Sequence, residues 1–199
     1  MIDISNISHN GPYKFFIQKA EKALEKNQKS MDAIVISSYN KLTKEVDSRF
    51  VNLKYIIENE WIFFSNYNSQ KAVSFETHDQ ISALIYWNSI DVQIRIKAKI
   101  KKSSENISDN HFKNRSLHKN ALAVSSNQSS KIDSYEEVKK KYNKIVKNSK
   151  NHMTRPSYWG GYSFTPYYFE FWDGHPERIN KRVVFELLND RWQSFFLEP

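Results

Sequence analysis

The sequence predicts a mainly β fold with flanking helices, an α+β arrangement in which an antiparallel barrel or sheet carries helices on its outside. Three observations predict it. Short β-branched and aromatic runs follow one another through tight turns, helical periodicity enters at few points, and 199 residues suffice for a sizeable core. The composition is globular, 39% hydrophobic and 26% charged, and at 15% aromatic it holds more rings than a core needs.

From Tyr13 to Gln28, "YKFFIQKAEKALEKNQ" sets Phe16, Ala20, Ala23 and Leu24 on one side and charges opposite, an amphipathic helix behind the Gly11-Pro12 start signal. "DAIVISSY" (32–39) reads as a short buried strand. "RFVNLKYI" (49–56) alternates, with Phe50, Asn52 and Lys54 on one face and Val51, Leu53 and Tyr55 on the other. "EWIFFSNY" (60–67) follows a Glu-Asn turn and completes a hairpin. "SQKAVSFETH" (69–78) fits a short helix and "QISALIYW" (80–87) another strand. "DVQIRIKAKIKK" (91–102) alternates Val92, Ile94, Ile96, Ala98 and Ile100 against Gln93, Arg95, Lys97 and Lys99, one face core and the other polar. Short helices are expected near 105–115 and 118–125, and a longer one from 133 onward. The last strands run from Tyr167 to Trp172, Arg182 to Leu188 and Arg191 to Leu197, with Asn189-Asp190 as the final hairpin turn.

Charge and missing residue types exclude several functions. There are no cysteines, so disulfides, thiolate metal sites and Cys nucleophiles are ruled out. Only four glycines are present, and no Walker A or Rossmann pattern occurs among them. No apolar run is long enough to span a membrane and no signal-like opening is seen, so the chain reads as cytoplasmic, with no membrane partner. The formal charge of +8 raises nucleic-acid binding. Much of that excess lies in "KIDSYEEVKKKYNKIVKNSK" (131–150), where Tyr135, Val138, Tyr142 and Ile145 share one side of a helix and the lysines form a solvated face. No nucleic-acid partner is therefore expected. His111 and His118 could share a helix face two turns apart, but without a third ligand no metal site is assigned.

Small polar and basic residues gather at strand ends. Arg49 opens one strand and Lys54 lies near its end. Ser65-Asn66, Ser69 and Lys71 fall where the next helix starts, and hydroxyls, a lysine and free N–H groups there suit one phosphate.

Taken in order, "SRFVNLKYIIENEWIFFSNYNSQKA", "ALIYWNSIDVQIRIKAKI", "HFKNRS" with "NQSS", "WGGYSFTPYYFEFWDGHPERINKR" and "RWQSFFLEP" resemble the pyridoxamine 5'-phosphate oxidase family from about residue 12 onward. The resemblance implies a split β-barrel that binds FMN, with residues 1–199 as one domain: an N-terminal helix region (1–30), barrel strands (31–102), a helical insertion (103–150), and C-terminal strands with a dimerisation region (158–199). It implies a homodimer with FMN sites at the interface, each assembled from both chains. By position it assigns to FMN Arg49, Phe50, Val51, Asn52, Lys54, Phe64, Ser65, Gln70, Lys71, Gln93, Gln128, Ser129, Trp172 and Arg182. Gln70 stands where the family has an arginine, which removes a bidentate phosphate donor. Tyr167, Phe169 and Phe171 are expected in the barrel core.

The substrate side departs further. The family holds its substrate phosphate with a Tyr, an Arg and a Ser, and this chain has His111, Arg115 and Lys119. The family's Arg-x-His becomes Arg178-Ile179-Asn180, and the N-terminal arm that covers the substrate has no counterpart. The resemblance thus implies FMN-dependent oxidation with dioxygen as acceptor. Lys54, His111, Arg115 and Lys119 would bind the substrate, and Arg178 and Asn180 would be catalytic. These departures from the family pattern imply a divergent small-molecule substrate, such as a phenazine-type dihydroaromatic biosynthetic intermediate. The alternatives are a genuine pyridoxamine 5'-phosphate oxidase, a non-catalytic flavin-binding protein, and a nucleic-acid module on the basic helix.

Overall fold

The computed structural model describes residues 2–148 and 153–199. The end of the basic segment at 149–150 and the first residues of the connection that follows lie outside them. The elements in order are β1 (Asp3–Ile7), α1 (Pro12–Glu25), β2 (Ala33–Asn40), β3 (Glu45–Glu58), β4 (Glu60–Asn66), α2 (Gln70–Thr77), β5 (Gln80–Trp87), β6 (Val92–Lys102), α3 (Glu105–Asn114), α4 (Leu117–Ser125), α5 (Tyr135–Asn148), β7 (Trp159–Asp173), β8 (Lys181–Leu188) and β9 (Arg191–Leu197). The sheet runs β1-β3-β2-β5-β6-β7-β8-β9, and β4 pairs with both β3 and β7. That double pairing closes β3, β2, β5, β6, β7 and β4 into a ring. β7 makes the ring possible by its length. Its first half, from Trp159 to Phe164, pairs with β4, and its second half, from Tyr168 to Asp173, pairs with β8.

Alternation explains most of the packing. On β6, Val92, Ile94, Ile96, Ala98 and Ile100 are all buried. α1 turns Tyr13, Phe16, Ala20 and Ala23 onto the barrel, and Phe16 meets Trp61 at 4.8 Å between ring centroids. Leu24 does not join them; it sits at the margin of the apolar stripe in the last turn and is 42% exposed. The final hairpin turns through Asn189 (φ 50°) and Asp190 (φ 60°), both left-handed, as a two-residue hairpin demands.

The structure corrects several boundaries. The 1–30 region begins with a strand, β1, paired parallel to β3, before its helix. β3 starts at Glu45 rather than Arg49, and β7 at Trp159 rather than Tyr167. His111 and His118 are not on one helix face, because the chain breaks at Arg115 between α3 and α4. No side chain of α5 is buried, so its hydrophobic stripe packs only shallowly on α4.

Two β-bulges overturn the simple alternation. In β7, Ala98 faces Pro166 but Lys97 faces Tyr168, so Tyr167 is an extra residue. Burial switches there from Tyr162, Phe164 and Pro166 to Phe169 and Phe171. Tyr167 is left half-buried, its hydroxyl accepting from Gln80 Nε2. In β3, Leu53 faces Phe63 and Tyr55 faces Ile62, so Lys54 is the extra residue. Tyr55 leaves the face of Leu53, and Ile56 takes the core position instead.

Candidate functional site

A cavity of about 550 Å³ opens where β3, β4, α2 and the α3–α4 junction meet. The bulge in β3 helps form it, because an extra residue bends the strand and brings Lys54 to the rim. Phe50, Val51, Asn52, Lys54, Phe64, Ser65, Lys71, His111, Arg115, Lys119 and Gln128 all line the cavity, as the sequence resemblance expected of one site. Asn114 and Ser116 complete the lining; no sequence signal singled them out. Among the described residues, no Asp or Glu lines it.

At one end lies the start of α2. Lys71 is 8% exposed, and its Nζ donates to Ser65 Oγ (3.2 Å) and Ser69 Oγ (3.3 Å). Burial, and then the neighbouring Arg49 charge, push the pKa of this ammonium down, with Asp47 acting the other way. The Ser69 hydroxyl donates to Asn66 O rather than capping the helix, so α2 begins with no side-chain cap. Gln128 approaches the same corner, its Oε1 accepting from Ser65 Oγ and the Asn66 N–H. A buried ammonium held only by hydroxyls, beside an uncapped helix start, is suited to an anion.

The middle of the cavity is aromatic. His111 stacks on Phe64 with centroids 3.7 Å apart and planes 6° from parallel, and its Nδ1 lies 2.8 Å from the Tyr55 hydroxyl. Burial first, then the charges of Arg115, Lys54 and Lys119, lower the His111 pKa to about 4. The imidazole is therefore neutral at pH 7. Phe64 also stacks on Trp159, over which the Arg115 guanidinium sits at 4.6 Å.

The far end is cationic. Arg115 Nη1 donates to Lys119 O (3.3 Å) and Asn120 Oδ1 (3.4 Å), acceptors that leave its charge uncompensated. Lys54 is tied to Asp32 at 2.7 Å. Burial is the largest single influence on Asp32 and opposes its charge, but the Lys54 hydrogen bond and the Lys54 charge, with smaller contributions, together keep that carboxyl below its usual range.

The remaining candidates lie elsewhere. Arg49 does not line the cavity; its guanidinium is held by Asp47 (2.5 Å), Ser38 Oγ (2.8 Å) and Ile36 O (3.3 Å). Gln70 is exposed at the start of α2. Ser129, in a left-handed conformation at φ 74°, lines a separate cavity beside α5. Gln93, Trp172 and Arg182 form one row across β6, β7 and β8, each the register partner of the next, with Tyr86 of β5 continuing it. Arg178 (φ 63°) and Asn180 sit in the loop just beyond that row, where Asn180 Oδ1 accepts from the His175 N–H at 3.0 Å. The candidates thus form two groups within one chain, one around the cavity and one on the outward face of the β6–β8 wall. Sequence reading also missed the carboxylates that fix the basic residues, Asp32, Asp47 and Glu170.

Comparison with known proteins bears on the family and the fold. A family model described as "Pyridoxine 5'-phosphate oxidase C-terminal dimerisation region" matches residues 159–199. The chain is 36% identical to a pyridoxine/pyridoxamine 5'-phosphate oxidase from Cytophaga hutchinsonii, over 94% of this chain and 88% of that protein. It is 31% identical to one from Actinobacillus pleuropneumoniae, over 96% and 90%. Among solved structures, PhzG from Burkholderia lata 383, in complex with tetrahydrophenazine-1-carboxylic acid, superposes with a TM-score of 0.89 at 21% identity, covering 94% of this chain and 92% of that one. At that identity the likeness speaks for the fold, which is the family's. With the ring of strands, the ordered motifs and relatives this similar along nearly the whole sequence, the chain belongs to the pyridoxine 5'-phosphate oxidase family.

Proposed function

We propose that this protein is an FMN-dependent oxidase that acts on a small anionic substrate and works as a homodimer. The observation that carries the reading is Lys71, an almost fully buried ammonium whose hydrogen-bond partners are hydroxyls and which makes no ion pair among the described residues. A phosphate group would supply the missing negative charge. Ser65, Lys71 and the start of α2 would hold the FMN phosphate, and Arg49, whose charge already reaches Lys71, would add to the field. The neutral, parallel rings of Phe64 and His111 fit the flat body of such a cofactor or its substrate.

When bound, FMN supplies a two-electron acceptor that takes a hydride from a carbon bearing an amine or hydroxyl, or from a dihydroaromatic ring, and passes both electrons to dioxygen. The chain's own residues position and exclude. Arg115 and Lys119 would draw in the anionic group of the substrate, since the cavity wall carries no carboxylate to compete, and Lys54, already paired with Asp32, would add to the field. Gln93, Trp172 and Arg182 form one surface within their row, and a second copy would present that surface to the cavity of the first. Arg178 and Asn180 would then orient the substrate. The match of residues 159–199 to a dimerisation region and the exposure of Tyr86 (56%) and Phe196 (71%) support pairing of two chains.

Two substrates remain in competition. The replacements His111, Lys119 and Asn180 favour a substrate other than the vitamin B6 phosphates, for instance a carboxylated dihydroaromatic intermediate. The names of the relatives favour pyridoxine or pyridoxamine 5'-phosphate as the second reading. Anaerobic mixing of the flavin-loaded protein with each candidate, followed by admission of air, separates them. Bleaching by pyridoxamine 5'-phosphate, with peroxide on aeration, establishes the second reading. Bleaching only by a dihydroaromatic acid establishes the first, and bleaching by neither removes the oxidase assignment.

A further inference from the structure

The outward face of the β6–β8 wall hides a carboxylate. Glu170 is 2% exposed although its neighbours on that face, Arg95 and Trp172, reach solvent. Its Oε1 accepts from Arg182 Nε at 2.8 Å and also lies 2.8 Å from Arg182 Nη2. Its Oε2 accepts from Arg95 Nη1 at 2.9 Å and from the Tyr168 hydroxyl at 3.2 Å. The third nitrogen of Arg182, Nη1, donates to Glu198 O at 2.7 Å. Arg182 is therefore held at every nitrogen by its own chain before any ligand arrives.

This is more than a surface ion pair needs. Arg182 is the register partner of Trp172, which is the partner of Gln93, so the clamp holds a cation at a set place in the row. Arg95 is 50% exposed and can fall back on water, whereas Arg182 would lose the one oxygen that meets both its Nε and its Nη2, and its countercharge, if the carboxylate were gone. From this geometry we propose that Glu170 is a positioning residue that acts through Arg182, fixing its guanidinium against Trp172 and tempering its charge where the row meets the flavin. The inference rests on the flavin reading above and specifies how one half of that site is built.

Flavin affinity and the midpoint potential of bound FMN test it. Glu170→Ala frees Arg182 and weakens FMN binding by about tenfold or more, as loss of one charge-assisted contact would. In an Arg182→Ala background the same substitution changes affinity by less than about twofold, because the residue through which it acts is absent. Glu170→Gln keeps an acceptor for Arg182 Nε but removes the negative charge. It retains FMN and raises the midpoint potential, because the uncompensated guanidinium favours the more negatively charged reduced flavin. Equal losses in both backgrounds, or a Glu170→Gln potential unchanged from wild type, overturn the inference. If wild type itself retains no FMN, the flavin reading fails instead, and the two failures stay distinct.

Discussion

At the scale of single residues, the proposed site rests on two cations, Lys71 and Arg115, whose hydrogen-bond partners carry no countercharge. Lys71 should dominate cofactor retention, because its ammonium is already desolvated and a phosphate restores the missing charge. Lys71→Ala is expected to weaken FMN binding by about tenfold to a hundredfold, read by quenching of flavin fluorescence, with little change in melting temperature. His111 gives a pH signature. Its folded pKa of about 4 lies below the ordinary 6.5, so between those values the unfolded chain takes up a proton that the folded chain refuses. The stability tied to neutral His111 is complete above the ordinary value, drains as pH falls through that window, and is gone below the folded one. His111→Phe keeps the stack on Phe64 and removes the titration, so its melting temperature should fall less than that of wild type between about pH 7 and about pH 4.5. An identical fall in both proteins would mean that other groups govern acid stability. Lys71 and Ser65 were legible in the sequence because phosphate chemistry demands those residue types at a helix start, whereas Arg115 was reached only through the family resemblance. Asp32, Asp47 and Glu170 were not legible, since a carboxylate that steadies a basic residue across strands carries no local pattern.

At the scale of elements, alternation made β6 readable and short runs bounded by turns made β5, β8 and β9 so, but alternation failed where β3 and β7 bulge. Lys54 and Tyr167 each break a period of two, and a single inserted residue leaves no mark in composition or spacing. The bulge in β3 adjoins the cavity and shifts Tyr55 from the core face to a hydrogen bond with His111. Local rules fail there, at the wall of the candidate cavity, as they commonly do where a strand is bent beside a site. β1 escaped notice because five residues with one buried side chain show no periodicity. The start of β7 depends on small residues: a Cβ on Gly160 would lie 2.1 Å from the Tyr67 hydroxyl and 2.8 Å from its ring. Gly160 pairs with Ser65 in β4, so crowding at this point bears on the cavity wall as well as on stability. Gly160→Ala is expected to destabilise by about 1–3 kcal/mol, measured by urea unfolding, and to weaken FMN binding at the same time. A variant as stable as wild type would show that Tyr67 yields without cost.

At the scale of the whole molecule, the candidate residues fall into two groups, and the proposed homodimer would account for both. One chain offers the cavity around Lys71 and Arg115; the row of Gln93, Trp172 and Arg182 lies on an outward face. If each site combines one group from each copy, then flavin occupancy and dimer formation are linked, and light scattering should show FMN travelling with the dimer. Sequence motifs revealed both groups because the family resemblance spans the chain, yet no sequence rule could say that they lie apart. The basic helix α5 takes no part in either. The central claim, that this chain builds a flavin site around Lys71, is tested most directly by adding FMN to the purified protein, desalting it, and recording the absorption spectrum beside that of Lys71→Ala. The account predicts a retained flavin band in the wild type, close to one flavin per chain, and a depleted band in the variant. Equal retention in the two proteins, or none in the wild type, would contradict it.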